Sequence, residues 1–274
     1  MGAYLGPLSN LVELTQWAEN QSVKTGQDPS FFTGLDGSRT AFVQPRVGRS
    51  LREWDVSMSK ARPTHVAAFL ALCLGAYGNG PFVFCDPLAQ VTNVLTPRQS
   101  LCDPGTFSQA TAAPALLAVP GLGDMPAILG ISGVQRVGAF TPVQPGRAVT
   151  VSAWVSSDGP VTLTAACMNA AGALTNRGEV TDKGLVRRRR VSATVVPASN
   201  ARAVDLRVTS DSPVTIACPA ISWTSSMMPW SPGRGASQVV VHSLQEQIEQ
   251  ASPSDERRQR VSYSATVTEV GAGA

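Results

Sequence analysis

The sequence predicts a mainly β protein with one short helix, in which a discontinuous sheet-and-helix domain is interrupted by an antiparallel β-sandwich. Three observations point there. A strand–helix–turn–strand pattern occupies Arg46 to Asp86. A matching alternating strand, RRQRVSYSATVTEVG, comes only near the C-terminus. Between them lie six short alternating segments of a different texture.

The outer elements can be justified one by one. Residues 1 to about 38 hold short apolar pieces with polar, Gly-containing connectors. Thr40 to Met58 reads as two strands joined at Pro45–Arg49, and alternation in the second puts Trp54, Val56 and Met58 on one face. Pro63 suits the first turn of a helix, where its missing N–H costs nothing. Val66, Phe69, Leu70 and Cys73 then recur at helical spacing, and Gly75 and Gly78 punctuate the end. PFVFCDP follows as a short strand. Residues 91 to 133, rich in Pro, Gly, Ala and Thr, read as a long ordered linker and the first edge of a second domain. Near the C-terminus, VVVHSLQEQIEQ reads as a short strand followed by a polar surface stretch, and the closing strand points Val261, Tyr263, Ala265 and Val267 to one face.

The six central segments are VQRVGAF, RAVTVSAWVSS, PVTLTAACMN, LVRRRRVSATVV, ARAVDLRVTS and VTIACPAISW. Each alternates and is bounded by turn-forming residues, the pattern of an antiparallel sandwich. The expected boundaries are 1–98 and 225–274 for the two halves of the outer domain and 99–224 for the sandwich.

Composition narrows the function. With 43% hydrophobic and 15% charged residues the chain is a folded one, and a net charge of +3 is too small to argue for nucleic acid. The longest apolar run, Val66 to Leu74, is about half of what a bilayer span needs, and no secretory signal is expected at the N-terminus. The reading is therefore a protein made in a reducing cytoplasm, with no nucleic-acid or membrane partner. Five widely spaced cysteines form no CxxC pair, and His65 and His242 are remote from any cysteine pair, so no metal site is expected; the cysteines read as small buried hydrophobes. There is no GxSxG elbow, no paired carboxylates at a useful spacing and no phosphate-cradling glycine loop. No catalytic residue and no cofactor are assigned, and the chain reads as a non-enzyme.

Four residues stand out as candidate glycan or partner contacts. Arg187–Arg190 is the most charged run, but in a strand its arginines split over two faces, leaving Arg188 and Arg190 together on one. Trp154 and Trp223 are the sandwich's two tryptophans and offer either an aromatic platform or core mass.

The run Phe82, Phe84, Asp86, Pro87, Asn93, Leu95, together with PWSPGRG at Pro229–Gly235, REWDV and LGPLSNLVEL, resembles minor tail proteins of long-tailed actinobacteriophages. More broadly it resembles the distal tail protein that joins tail tube to tip. The resemblance covers about 1–98 and 225–274. It implies a belt domain that assembles as a homo-oligomeric ring of six or three copies, located in the virion tail and contacting tail-tube and tail-hub proteins. The inserted sandwich would be jelly-roll or galectin-like, similar to carbohydrate-binding modules. A second reading is a carbohydrate-binding module displayed on the tail for attachment to host cell-wall glycan.

Overall fold

Where the chain alternates it forms strands, and their pairing brings together segments that are remote in sequence. The structure, a computed structural model, describes residues 2–14, 22–25, 30–34, 38–42, 52–107, 113–130, 133–184, 187–251 and 260–270. The joint expected at Pro45–Arg49 and the terminal GAGA lie outside them. The chain forms two compact units, residues 1–15 with 82–237 and residues 16–81 with 238–274.

In the first unit, β1 (Ala3–Gly6) pairs with β2 (Val12–Leu14) and with β7 (Phe82–Cys85). Short helices follow, α2 (Pro87–Val91) and α3 (Pro97–Ser100), and a 3-10 turn (Pro104–Thr106). The sequence expectation of one helix is corrected here: each extra helix is a single turn opened by a capping residue and Pro, too short to show a periodic face. Asp86 caps α2 by accepting from Ala89 N–H at 2.6 Å, and Thr96 and Gln99 form a reciprocal capping box on α3.

Next comes the sandwich: β8 (Ala113–Val119), β9 (Gly123–Gly130), β10 (Gly133–Pro142), β11 (Val149–Ser157), β12 (Val161–Met168), β13 (Leu174–Asp182), β14 (Arg188–Val195), β15 (Ala203–Ser210) and β16 (Val214–Ser222). The sheets run β10-β15-β12-β13 and β14-β11-β16-β9-β8, all antiparallel. Numbered from β9, strands one, eight, three and six form one sheet and two, seven, four and five the other, which is the jelly-roll weave. Val151, Val155, Leu163, Val191, Leu206 and Ile216 fill the space between the sheets.

All six expected strands are present. The expected linker is corrected, because residues 113–130 form the β8–β9 hairpin, turned at Gly121 and Gly123 with φ of 78° and 79°. Leu117 and Val119 are buried, but the neighbouring Leu116 is also apolar and lies exposed, so the alternation is hidden in the sequence.

The bond between sandwich and flanks is made at β16. Strand β9 pairs with β16 only over Val214–Ala217. At Cys218 (φ 51°) the ladder with β11 slips by one residue, a bulge that turns the Pro219 carbonyl away from its neighbour. Beyond it, the segment after α2 takes over: Val94 N–H donates to Ile221 O (2.7 Å) and Trp223 N–H to Gln90 O (2.6 Å). The fully buried Asn93 donates to the Pro219 (3.2 Å) and Ser231 (2.9 Å) carbonyls and accepts from Leu95 (3.2 Å) and Ile221 (3.1 Å) N–H. The PWSPGRG segment closes on the other side, with Arg234 N–H on Asn93 O and Gly235 N–H on Leu95 O, both 3.0 Å. A Cβ on Gly233 or Gly235 would collide with the Leu95 or Val94 carbonyl. Residues 82–98 and 225–237, read from sequence as parts of the outer domain, are thus built into the sandwich's unit.

The second unit contains β3 (Ser22–Thr25), the hairpin β4 (Ser30–Thr33) and β5 (Arg39–Phe42), β6 (Arg52–Ala61), α1 (Pro63–Cys73), most of β17 (Ala236–Gln250), and β18 (Arg260–Glu269). β18 pairs with both β17 and β6, and β6 with β3. Trp54, Val56, Met58, Val261, Tyr263, Ala265 and Val267 are all buried, on the faces the alternation predicts. Arg52 grips Glu269 through Nε and Nη2, each at 2.9 Å, and stacks over Trp54 at 5.0 Å. Helix α1 buries Val66, Phe69 and Leu72. It ends in a Schellman turn, with Ala76 N–H on Ala71 O and Gly75 N–H on Leu72 O. The polar stretch expected after VVVH is instead the outer half of β17; it is exposed along its length, so no apolar periodicity marks it.

Four of the five cysteines are buried and all five are free thiols. Burial pushes the Cys102 thiol up to about 12 and those of Cys73, Cys167 and Cys218 up to about 11, from an ordinary 9.0. The native state thus holds these protons more tightly than the unfolded chain. Their contribution is fully present below pH 9.0 and is lost as pH rises through 11 to 12. Urea midpoints measured from neutral pH to pH 10.5 should therefore fall at the alkaline end, and thiol-reagent labelling at pH 8 should be far slower on the native than on the unfolded protein. Asn93→Ala should lower stability of the first unit by about 3 kcal/mol, because buried backbone groups lose their partners. Gly235→Ala should be at least as damaging, and a urea titration reads both.

Candidate functional site

The outward faces of the two sandwich sheets differ. On the five-stranded sheet, Trp154 of β11 stands opposite Arg190 of β14. Trp154 and Trp230 pack against Leu117, Val119, Ala127, Ala217 and Cys218. The chain after β16 lies against this face: Arg190 Nη2 donates to Met228 O (2.6 Å) and Ser152 Oγ (3.1 Å), and Trp230 Nε1 donates to Pro219 O (3.3 Å). Burial pulls the Arg190 pKa down from its ordinary value, so this guanidinium is partly desolvated by the segment it holds.

Of the four residues singled out in the sequence, Trp154 and Arg190 therefore meet. Arg188 lies two residues along β14 from Arg190 and is exposed. Trp223 lies apart from them in the core, where its Nε1 donates to Pro142 O (3.1 Å); it meets Tyr4 edge-on at 5.1 Å and carries the Arg147 guanidinium over its ring at 5.2 Å. Arg189 points the other way and is buried at the sandwich edge. There it pairs with Asp182 of β13, and its Nη2 donates to Gly159 O at 3.0 Å, tying β14 to the opposite sheet.

The four-stranded sheet presents a groove of about 310 Å³, at the low end of small-ligand sites. Its floor is β12, with the short side chains of Thr162, Thr164 and Ala166. The walls rise from β13 and β15, about 10 Å apart because one strand lies between them. Register places Arg177 and Asp205 on either side of Ala166, and Glu179 and Arg207 on either side of Thr164. Arg136 of β10 stands opposite Arg207. The charges are paired: Arg177 with Glu179 at 3.4 Å, and Asp205 with both Arg136 (3.0 Å) and Arg207 (3.1 Å) through the same oxygen, Oδ2. Asp205 is 0% exposed, while Arg177 is 59%, Glu179 48%, Arg136 37% and Arg207 27% exposed. Asp205 Oδ1 is buried without a hydrogen-bond partner. Sequence reading missed this groove; the one local trace is the pair of i, i+2 charge couples, Arg177/Glu179 and Asp205/Arg207, on strands otherwise rich in Thr and Val.

A second hollow, about 380 Å³, is bordered by Tyr4, Glu13, Gln144 and Arg202. Tyr4 Oη donates to Gln144 Oε1 at 2.7 Å, and burial, reinforced by Glu13, pushes the phenol up to about 12, so it stays protonated at neutral pH. Among the described residues no group of three or more His, Cys, Asp or Glu is placed to hold a metal ion, and no helix is long and apolar enough to cross a membrane.

No protein-family description matches the chain, and no curated protein does. Solved structures give partial likenesses. The enzymatically active domain of bacteriophage CBA120 tailspike protein 4 aligns at 7% identity and a TM-score of 0.40, over 48% of this chain and 21% of that one, so this chain matches about a fifth of its length. The CBM22-1 xylan-binding domain from Paenibacillus barcinonensis Xyn10C aligns at 10% identity and a TM-score of 0.32, over 44% of this chain and 88% of that one. A carbohydrate-binding module from Cellvibrio mixtus lichenase 5A, solved with cellotriose, aligns at 15% identity and a TM-score of 0.32, over 44% and 93%.

Arg190→Ala should loosen the strap over Trp154. Amide hydrogen exchange across residues 225–231 is expected to rise by the equivalent of about 1–2 kcal/mol, with the sandwich strands unchanged.

Proposed function

We propose that this chain is a structural subunit of a bacteriophage tail tip, of the distal or minor tail protein kind, which assembles as a ring joining tail tube to tip and displays its sandwich outward. The observation that carries the reading is the discontinuous second unit. β6 and β18, about 200 residues apart in sequence, pair directly, and helix α1 follows β6 after a single residue. A unit built from both ends of the chain supports the belt-and-insertion layout that the resemblance implies. The two motifs that carry the resemblance, Phe82–Leu95 and Pro229–Gly235, meet through backbone hydrogen bonds, which gives both of them a structural reason to exist.

Ring assembly needs surfaces that neighbours can use. Strand β3 covers β6 only from Arg52 to Asp55, so among the described residues Val56–Ala61 has no second strand partner. The outer half of β17 is exposed, and Ile248 on it is 67% exposed. Unpaired edge and exposed apolar residues of this kind are templates for a neighbouring chain. A closed ring uses two different patches on each subunit, so no edge remains open.

The open groove on the four-stranded sheet favours a second, compatible reading, a carbohydrate-binding module held on the tail for attachment to the host surface. Repetition around a ring would make even a weak site effective.

Light scattering with negative-stain imaging tests the main reading. Rings of several copies are expected, from the chain alone or with its tail-tube partner; a strict monomer under both conditions would count against it. Ile248→Lys is expected to reduce assembly while changing the stability of the single chain by less than about 0.5 kcal/mol.

A further inference from the structure

We propose that the groove on the β10-β15-β12-β13 sheet binds an acidic polysaccharide, a chain of sugars bearing carboxylates, laid along β12 between Arg177 and Arg207. The proposal rests on the displayed-sandwich reading above and adds to it the site and the chemical class of ligand.

Three features of the groove lead there. The first is shape. A floor of Thr162, Thr164 and Ala166 between walls of long side chains makes an open trough that follows a strand, the form that suits an extended polymer. The second is hydrogen-bonding chemistry. Beside the apolar Val134, Ala166 and Leu174, the lining holds threonines, guanidiniums and a carboxylate and no aromatic ring, so a sugar here is gripped by charge-assisted hydrogen bonds and not by stacking on a ring face.

The third is the sign of the charge that a ligand meets. Three arginines share the face with two carboxylates, and the two carboxylates differ in what they present. Asp205 is wholly buried under Arg136 and Arg207. It makes both contacts through Oδ2 and offsets one of the two guanidiniums, so three guanidiniums against two carboxylates leave the face with one net positive charge. Of the exposed charges, three are guanidiniums and only Glu179 is an anion. A carboxylate arriving at this wall meets the guanidiniums of Arg207 and Arg136, which stand side by side on Asp205. Sugar hydroxyls, which donate as well as accept, match Glu179 and the threonine floor. Asp205 itself is a positioning residue that holds the two guanidiniums side by side.

The test uses the full chain and isothermal titration calorimetry with oligogalacturonate, its carboxyl-reduced neutral counterpart and a polyglycerol-phosphate chain. Oligogalacturonate is expected to bind, with affinity that falls as salt rises, and the reduced chain to bind at least about tenfold more weakly. Arg177→Gln, at a 59% exposed position whose loss leaves no buried group unpaired, is expected to weaken oligogalacturonate binding by about tenfold, and Arg207→Gln by as much or more. Equal binding of acidic and reduced chains, binding unmoved by Arg177→Gln, preference for the phosphate polymer, or no binding at all would each overturn the proposal. Oligomeric mass separates the two readings: intact rings that fail to bind sink the ligand assignment alone, while binding by a chain that stays monomeric both alone and with its tail-tube partner sinks the ring alone.

Discussion

The side-chain amide of Asn93 is the joint on which the larger unit depends. It is a short, fully buried group that uses both donors and its acceptor on four backbone groups from three separate stretches of chain. Its site exists because the bulge at Cys218 rotates one carbonyl out of the β16 ladder. A carbonyl turned into the interior without a partner would cost about 1–3 kcal/mol; Asn93 and Trp230 together satisfy it. Gly233 and Gly235 are required by the same joint, because two backbones approach so closely there that no side chain fits between them. Gln90 extends the pattern: its backbone oxygen receives Trp223 N–H, while its side chain reaches Gly2 O at 2.8 Å and accepts from Arg147 at 2.7 Å. The sandwich is therefore stitched to its flanking segments by hydrogen bonds between buried polar groups, which gives direction where hydrophobic packing alone would not.

The two sheet faces follow from the same economy of polar groups. The chain leaving β16 lies on the five-stranded sheet and covers an apolar patch that water would otherwise meet, with Arg190 giving up hydration to hold it. The four-stranded sheet has mostly polar residues at its outward positions, with Val134, Ala166 and Leu174 among them, and among the described residues no segment is laid over its groove. It keeps its charges in i, i+2 couples, which a strand places on one face. One face is closed by the protein itself, and the other carries an open groove.

Much of this architecture was legible in the chain. The alternation of VTVSAWVSS, VTLTAACM and AVDLRVTS fixes which residues point inward, and the buried set obeys it. Pro63 and Gly75 mark the ends of α1 to within a residue or two. The hairpin at 113–130 was not legible, because Leu116 and Leu117 are apolar on opposite faces and so cancel the period-two signal. The outer half of β17 was hidden for the converse reason, since polar residues occupy both of its faces. Of the residues that sequence reading offered as contacts, Trp223 looked like Trp154 because a tryptophan in a strand carries no label for the side of the sheet it will occupy.

The sequence by itself determined the local quantities: strand and helix type, inward and outward positions, the turns, and the absence of any familiar catalytic motif. It also supplied Asn93, Gly233 and Gly235, but without their partners. Tertiary structure alone decided what depends on register between strands far apart in sequence. It set Arg177 and Asp205 across Ala166, placed Arg136 beside Arg207, sent β16 past its bulge to the segment after α2, and brought β6 to β18. Periodicity is a property of a few neighbouring residues, whereas register is settled by the packing of whole faces against one another. A groove made from four strands can be read only after that packing is complete.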